Sequence, residues 1–528
     1  MPAVAAATPP PYTGTFDRSH AGHLLRRTLF GPTLREIDRA VEVGMEATIN
    51  RLFSKTAPPA PPLNHFFRGD WNVPVGQTWV DQPFIPGVNL HQYREPSLRA
   101  WYWQSLMERG VSIEEKMTLF WINHFGVDDS SEQRAHYDFI RLLRKRATGN
   151  FRQLIKEVTV HPAMLHFLDG RTSYLDNPNE NFARELIELF SVQKGKPGSP
   201  TYTEKDVQEI ARIMTGWRVR RFWGTEQGSV ESYFQADWHD SGTKQLSHHF
   251  GNAVITNRGD REYAHLIDII FRHPHTARSI CRDLYRYFAH YEITDRTERE
   301  LIEPLAQLLV ASNYELKPVI KALLASRHFY SPDVRGAMVK NPYEFLLSMV
   351  RPVGGYRHLN LGLRAHYDLM VEHHKRGKLL SMDFVNPPSV SGWRAYYHAP
   401  RYHRHWITTV TLLLRAEMSD ELCRRGYWSQ GKDRLLDLLG FLATLTDPYD
   451  VNAVIDDIST IFLPRPITRA QQDSLKKRLL NGLPDFEWTV EYRLYRSNPD
   501  DKQVRDSMLE RVCLLLRTVF QMAEFHLQ

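Results

Sequence analysis

The segment DNPNENFARELIELFSVQKG (176–195) specifies an amphipathic helix at both its ends and along both its faces. Asn177 is placed to cap it, Pro178 takes the first helical position, where a missing N–H costs nothing, and Glu180 follows the cap by three as in a capping box. Gly195 supplies the stop. At about 100° per residue, Phe182, Leu186, Leu189 and Phe190 share one face, and Asn181, Glu185 and Glu188 fall within roughly 60° of one another opposite it, flanked by Arg184. A helix so defined has to bury its apolar face, so the chain around it must supply packing partners. Its polar face admits two readings: a solvated surface with an Arg184–Glu188 pair one turn apart, or the wall of a buried polar centre.

The next segment is equally explicit. Thr203 caps it, Asp206 completes a capping box, Tyr202 and Val207 suit a hydrophobic staple, and Gly216 ends it. Helical periodicity also marks 97–109, 112–126, 131–148, 150–167, 261–272, 275–290, 296–311, 315–326, 341–351, 404–425 and 502–526. One stretch changes period: WRVRRFWGTEQGSVESYFQ (217–235) alternates around a Gly-containing turn and predicts a β-hairpin. The expected fold is therefore mainly α, a multi-helix globular array with one small β element near 217–256. Residues 1–15, rich in Ala, Pro and Thr, are expected as a disordered tail. A main helical domain follows over 16–400, with an aromatic and Pro-rich loop at 56–96, and a C-terminal helical region over 401–528 packs on it. Hydrophobic residues at 42% and charged residues at 24% fit a folded globular chain, not a disordered one. A net charge of +6 over 528 residues is too dilute to imply nucleic acid. Three separated cysteines, Cys281, Cys423 and Cys513, exclude a disulfide scaffold and a thiolate zinc site. No apolar run reaches the roughly 18 residues of a membrane span, and the N-terminus lacks a secretory signal pattern, which leaves cytoplasmic residence, or export with a leader removed.

NENFARELIELFS followed by YTEKDVQEIARIMTGW resembles the bacterial family known as domain of unknown function 1800, and the resemblance covers nearly the whole chain. It continues in HLLRRTLFGPT near the start, EKMTLFWINHF (115–125), HPAMLHFLD (161–169), HDSGTK (239–244), KNPYEF (340–345) and NPPSVSGW (386–393). The resemblance implies a family with no assigned activity, whose members often carry export signals and are often encoded beside an uncharacterised sulfatase-like family, a candidate protein partner. One departure stands out. Where the family pattern reads Trp-His-Asn-His-Phe, this chain has Trp121-Ile122-Asn123-His124-Phe125, so only His124 is left as a candidate ligand.

These motifs supply a chemical constellation. Glu185, Glu188, His239 and Asp240 are the candidate catalytic groups; Asn181, Arg184, Lys244 and Trp393 are candidate substrate contacts. His124, Glu185 and His239 form a candidate ligand set for a divalent metal. Each has a plainer alternative: a lone histidine in an aromatic helix as a satisfied core residue, His239-Asp240 as a turn, NPPSVSGW as a rigid buried loop. GxSxG, P-loop and HExxH motifs are absent, which removes serine hydrolases, P-loop NTPases and HExxH metalloproteases. Two functions stay open. One is metal-assisted or acid–base chemistry, of hydrolase or lyase type, on a polar organic substrate such as a saccharide, with the aromatic content of 12% suited to stacking on a sugar. The other is a non-catalytic helical binding or assembly partner of an exported protein, with the same groups fixing helix packing.

Overall fold

Reciprocal capping boxes at Thr33/Glu36, Thr203/Asp206, Asn341/Glu344 and Thr468/Gln471 start four of the helices, each satisfying backbone N–H groups that the first turn leaves free. The computed structural model describes residues 8–67, 69–128, 132–195, 198–424 and 436–528. Among these residues the protein is mainly α-helical, as the periodicity predicts. The region 217–256 holds two small antiparallel pairs: Trp217–Arg220 with Glu231–Phe234, and Lys244–Gln245 with Val254–Ile255. The hairpin is where alternation places it; the second pair is too short to leave a periodic signal.

Helix Glu114–Phe125 lies at the centre. It reads apolar on nearly every face, and Met117, Leu119, Phe120, Trp121, Ile122 and Phe125 are all buried, the pattern of a helix surrounded by others. Its two buried charges are paired: Glu115 accepts both Arg144 Nε (2.8 Å) and Nη2 (3.0 Å), and Lys116 Nζ donates to Glu344. Helix Glu180–Glu188 buries Phe182 and Leu186, packs on helix Glu204–Ile213, and is followed by Phe190, whose ring lies 5.4 Å from that of Phe125.

That helix is shorter than its sequence suggests. Its cap is Asn179, not Asn177; the Asn179 side chain accepts from Phe182 N (2.9 Å) and donates to Leu168 O (2.8 Å). Asn177 sits in the preceding turn, its N–H on Tyr174 O. The C-terminus also comes early: Phe190 N bonds back to Glu185 O, Val192 N to Ile187 O, and Ser191 Oγ takes Leu186 O at 2.6 Å. The chain thus unwinds through a wide turn ending at Gln193, whose φ is +66°, before Gly195 is reached. This early end turns Glu188, Leu189 and Gln193 toward a cavity.

Three other expectations change. Residues 8–15 are not a disordered tail: Tyr12 N bonds Ala325 O (2.8 Å), Arg327 N bonds Pro10 O (2.8 Å), and the Tyr12 ring lies 4.6 Å from Tyr330; residues 1–7 lie outside the described residues. The aromatic loop ends sooner than 96, because helix His91–Glu108 begins there and carries Pro96 within it. The loop is held by Trp79 Nε1 on Ser97 Oγ (2.9 Å), Trp101 Nε1 on Ala60 O (2.6 Å) and the buried Asp70–Arg94 pair (2.7 Å). Helix 150–167 is split into Phe151–Thr159 and Pro162–Phe167, since Pro162 has no N–H to continue the ladder. The C-terminal helices gather around Lys502–Gln521 and are tied to the rest by Arg26 on Thr460 O (2.8 Å) and Arg415 on Lys340 O (2.8 Å).

Burial on this scale encloses many histidines. Desolvation holds His65, His124, His136, His273 and His403 down to about 4, and His373 and His526 down to about 3. The unfolded chain, with histidines near 6.5, takes up protons that the folded chain refuses, so stability falls as pH drops from about 6.5 to 4. We expect urea unfolding to show a loss of more than about 3 kcal/mol between pH 7 and pH 4.5; equal midpoints at the two pH values would contradict it.

Candidate functional site

The residues expected to form one centre occupy two separate places. The first surrounds Glu262, whose side chain is fully buried. Glu262 Oε1 receives Lys244 Nζ at 2.5 Å, and Oε2 receives Arg258 N at 3.0 Å and faces His239 Nε2 at 3.3 Å. His239 Nδ1 faces Thr215 O at 3.0 Å, so both ring nitrogens are occupied. Asp240 is clamped by Arg212, Nε to Oδ2 at 2.7 Å and Nη2 to Oδ1 at 3.2 Å. Burial pushes both carboxyls up, but the hydrogen bonds outweigh it: those of His239, Lys244 and Arg258 hold Glu262 below its ordinary value, and those of Arg212 and Gly242 do so for Asp240. Lys244 is completely buried, not at a rim. These groups satisfy one another.

The second place is a cavity of about 260 Å³ where four segments meet. Helix Glu114–Phe125 contributes Phe120, Asn123 and His124; the end of helix Glu180–Glu188 and its turn contribute Glu188, Leu189 and Gln193; helix Pro274–Phe288 contributes Asp283, Arg286 and Tyr287. The NPPSVSGW loop and the short helix Arg394–Tyr397 complete the lining with Ser391, Tyr396 and Tyr397. The loop is seated by close backbone approach. Trp393 N donates to Asn123 Oδ1 at 2.9 Å; Gly392, at φ +76°, lies where a Cβ would come within 2.3 Å of Asn123 O, and a Cβ on Gly126 would come within 2.5 Å of Val390 O. Only glycine fits at either place.

His124 and Asp283 form the chemical core of this cavity. His124 Nε2 donates to Phe190 O at 3.4 Å, which leaves Nδ1 with its lone pair 4.0 Å from Asp283 Oδ2. The same Asp283 oxygen accepts from Gln193 Nε2 at 3.1 Å. Desolvation lowers the imidazole to about 4 and raises the carboxyl to about 6, in the latter case against the opposing pull of Arg286 and Gln193. The usual order is inverted: a proton offered to this pair rests on the carboxyl.

Of the other expected residues, Glu188 lines the cavity and Glu185 does not; Glu185 is half-buried and raised, first by desolvation and then by the neighbouring Glu188 charge. Asn181 is exposed. Arg184 is not paired with Glu188 but makes a bidentate surface pair with Glu204, at 3.0 and 2.7 Å. Trp393 is buried and lines a neighbouring open cleft of about 500 Å³ with Lys378 and Asp383. His124, Glu185 and His239 do not form a ligand set, since among the described residues no three His, Cys, Asp or Glu side chains are grouped to hold a metal. The reason is physical: His239 is spent on Thr215 and Glu262, whereas His124 lies against Phe190 and Asp283. Two larger clefts, of about 490 and 800 Å³ near Thr33 and Gly354, contain none of these residues.

The convergence of WINHF, NENFARELIELFS and NPPSVSGW on one cavity bears directly on kinship, because a family model described as "Protein of unknown function (DUF1800)" matches residues 23–526. The chain belongs to this family. No curated protein and no solved structure matches it. The DUF1800 match therefore names kin without naming a reaction, and the cavity has to be read from its own residues. Asp283 and Arg286, which periodicity passed over, stand three apart on an amphipathic helix and read as an ordinary surface pair; nothing local distinguishes them.

Two substitutions separate the two places. Glu262→Gln removes the carboxylate in contact with the buried Lys244 cation, leaving Asp240 Oδ1 at 3.9 Å as its counter-charge, and is expected to cost about 3–5 kcal/mol in denaturant unfolding; a loss below about 1 kcal/mol would mean that Lys244 is solvated. Gly392→Ala forces the loop off Asn123 and is expected to cost about 2–4 kcal/mol, with a change in Trp393 fluorescence that a well-seated loop would not show.

Proposed function

We propose that the cavity carries general acid–base chemistry on a small polar organic molecule, with Asp283 as the proton-transferring group and His124 and Gln193 as the residues that position it. The observation that supports this most is the carboxyl–imidazole pair on the cavity wall with inverted proton affinities. A carboxyl near 6 has substantial populations of both forms close to neutrality, which is what efficient proton transfer in either direction requires. Gln193 fixes one Asp283 oxygen by hydrogen bonding, and His124 Nδ1 stands 4.0 Å from that same oxygen, leaving the carboxyl as the group of the pair that carries the proton. Glu188 adds a second carboxylate to the lining. Phe120, Tyr287 and Tyr396 line the cavity beside this pair with apolar ring surface, and Tyr397 stands at its exposed side.

The alternative, a helical binding or assembly partner, is favoured at the Glu262 network, whose groups are mutually satisfied and offer nothing to a substrate. Asp283 can be tested directly. Its native value near 6 against about 3.9 unfolded means the folded state holds the extra proton, so this group's contribution to stability falls as pH rises from 4 to 6. Asp283→Asn is expected to stabilise the protein at pH 7.5 by about 1–3 kcal/mol and to lower turnover of any substrate found by metabolite screening about 10²–10⁴-fold. An Asp283 carboxyl that titrates near 4 by carbon NMR, or an Asn variant as active as the parent, would overturn the assignment.

A further inference from the structure

The same cavity contains two polar atoms that the protein leaves without partners. Glu188 Oε1 is buried and accepts no hydrogen bond; the nearest cation, Lys194 Nζ, stands 3.9 Å away on a side chain that is 77% exposed. Arg286 Nε is buried and donates none, and its Nη1 is 3.7 Å from Asp283 Oδ1, beyond hydrogen-bond reach. One is an anionic acceptor that wants a donor; the other is a cationic donor that wants an acceptor. Buried polar groups are ordinarily paired, so an orphan of each sign on residues lining one cavity describes a ligand by complement.

We infer that the cavity binds a small zwitterion, its ammonium group against Glu188 and its carboxylate against Arg286, with an apolar body along Phe120, Tyr287, Tyr396 and Tyr397. This rests on the reading of the cavity as the functional site and narrows its ligand. A neutral saccharide satisfies the hydrogen-bonding valence but brings neither an ammonium to Glu188 Oε1 nor a carboxylate to Arg286 Nε, whose own ionic neighbours, Lys194 and Asp283, stand at 3.9 and 3.7 Å. The volume of about 260 Å³ is below the roughly 300–1,000 Å³ of drug-sized pockets and suits a single amino-acid-sized molecule. The aromatic lining contributes twice, as apolar contact for the body and as negative ring faces for an ammonium group.

The test uses the full chain and thermal-shift screening of the common L-amino acids, followed by calorimetry on the best binder, its decarboxylated amine, its N-acetyl derivative and methyl glucoside. Binding of at least one amino acid is expected, with loss of either charge weakening it 10-fold or more. Glu188→Gln should weaken the amino acid and the amine but not the N-acetyl acid, and Arg286→Gln should weaken the amino acid and the N-acetyl acid but not the amine. Should Arg286→Gln not fold, the unaltered chain binding the amino acid at least 10-fold more tightly than its decarboxylated amine provides the same comparison from the ligand side. No stabilisation by any amino acid, or methyl glucoside binding as tightly as the best of them, overturns the inference. Failure of this panel with a normal loss of turnover in Asp283→Asn leaves the acid–base reading standing; binding with the expected charge dependence but an Asp283 that titrates near 4 leaves the zwitterion site and removes the chemistry.

Discussion

The close approach of the 389–393 backbone to the C-terminal end of helix Glu114–Phe125 is the constraint on which the cavity depends. Asn123 offers its side-chain oxygen to Trp393 N, and glycines at 126 and 392 let two backbones come closer than any Cβ would allow. Because the loop is pinned there, Ser391, Tyr396 and Tyr397 line one cavity with His124 and Asp283. The family motif WINHF thus joins two tasks on successive residues: Asn123 seats the loop, and His124 presents its ring to the space the loop encloses.

Charge burial sets the character of the surrounding core. Arg27 is satisfied by the carbonyls of Phe288 and Tyr287, at 2.9 and 2.7 Å, Arg26 donates through Nη1 to those of Thr460 and Ile461, and Lys116 pairs with Glu344. Guanidinium groups spent on carbonyls at the C-terminal ends of helices Pro274–Phe288 and Val451–Phe462 bind distant segments together without needing a carboxylate for each cation. Glu344 is the counter-charge near which several of these cations gather, and their proximity holds it below its ordinary value despite burial. Asp283 accepts a hydrogen bond from Gln193 and has Arg286 at 3.7 Å, yet burial prevails there and its carboxyl rises. The difference between a structural carboxylate and a chemically poised one in this protein lies in how many donors reach it.

Local sequence determined the helical class, the four capping boxes, the hairpin at 217–234 and the buried face of Phe182, Leu186 and Phe190, because each follows from interactions within a few residues. It also marked Glu188 and His124, which stand in motifs recognisable as family patterns. It misplaced the cap by two residues because Asn177 and Asn179 are chemically alike, and Leu168 O and Ser173 Oγ, from the preceding segment, hold the second. Tertiary structure alone decided the rest. It sent His239, Asp240 and Lys244 to a saturated network with Glu262 and Arg212, and it brought Asp283 and Arg286, unremarkable on their own helix, to the cavity wall. The physical reason is that a residue's proton affinity and its freedom to act depend on desolvation and on which donors reach it. Those are set by the packing of segments far apart in the chain, which helical period and spacing do not encode.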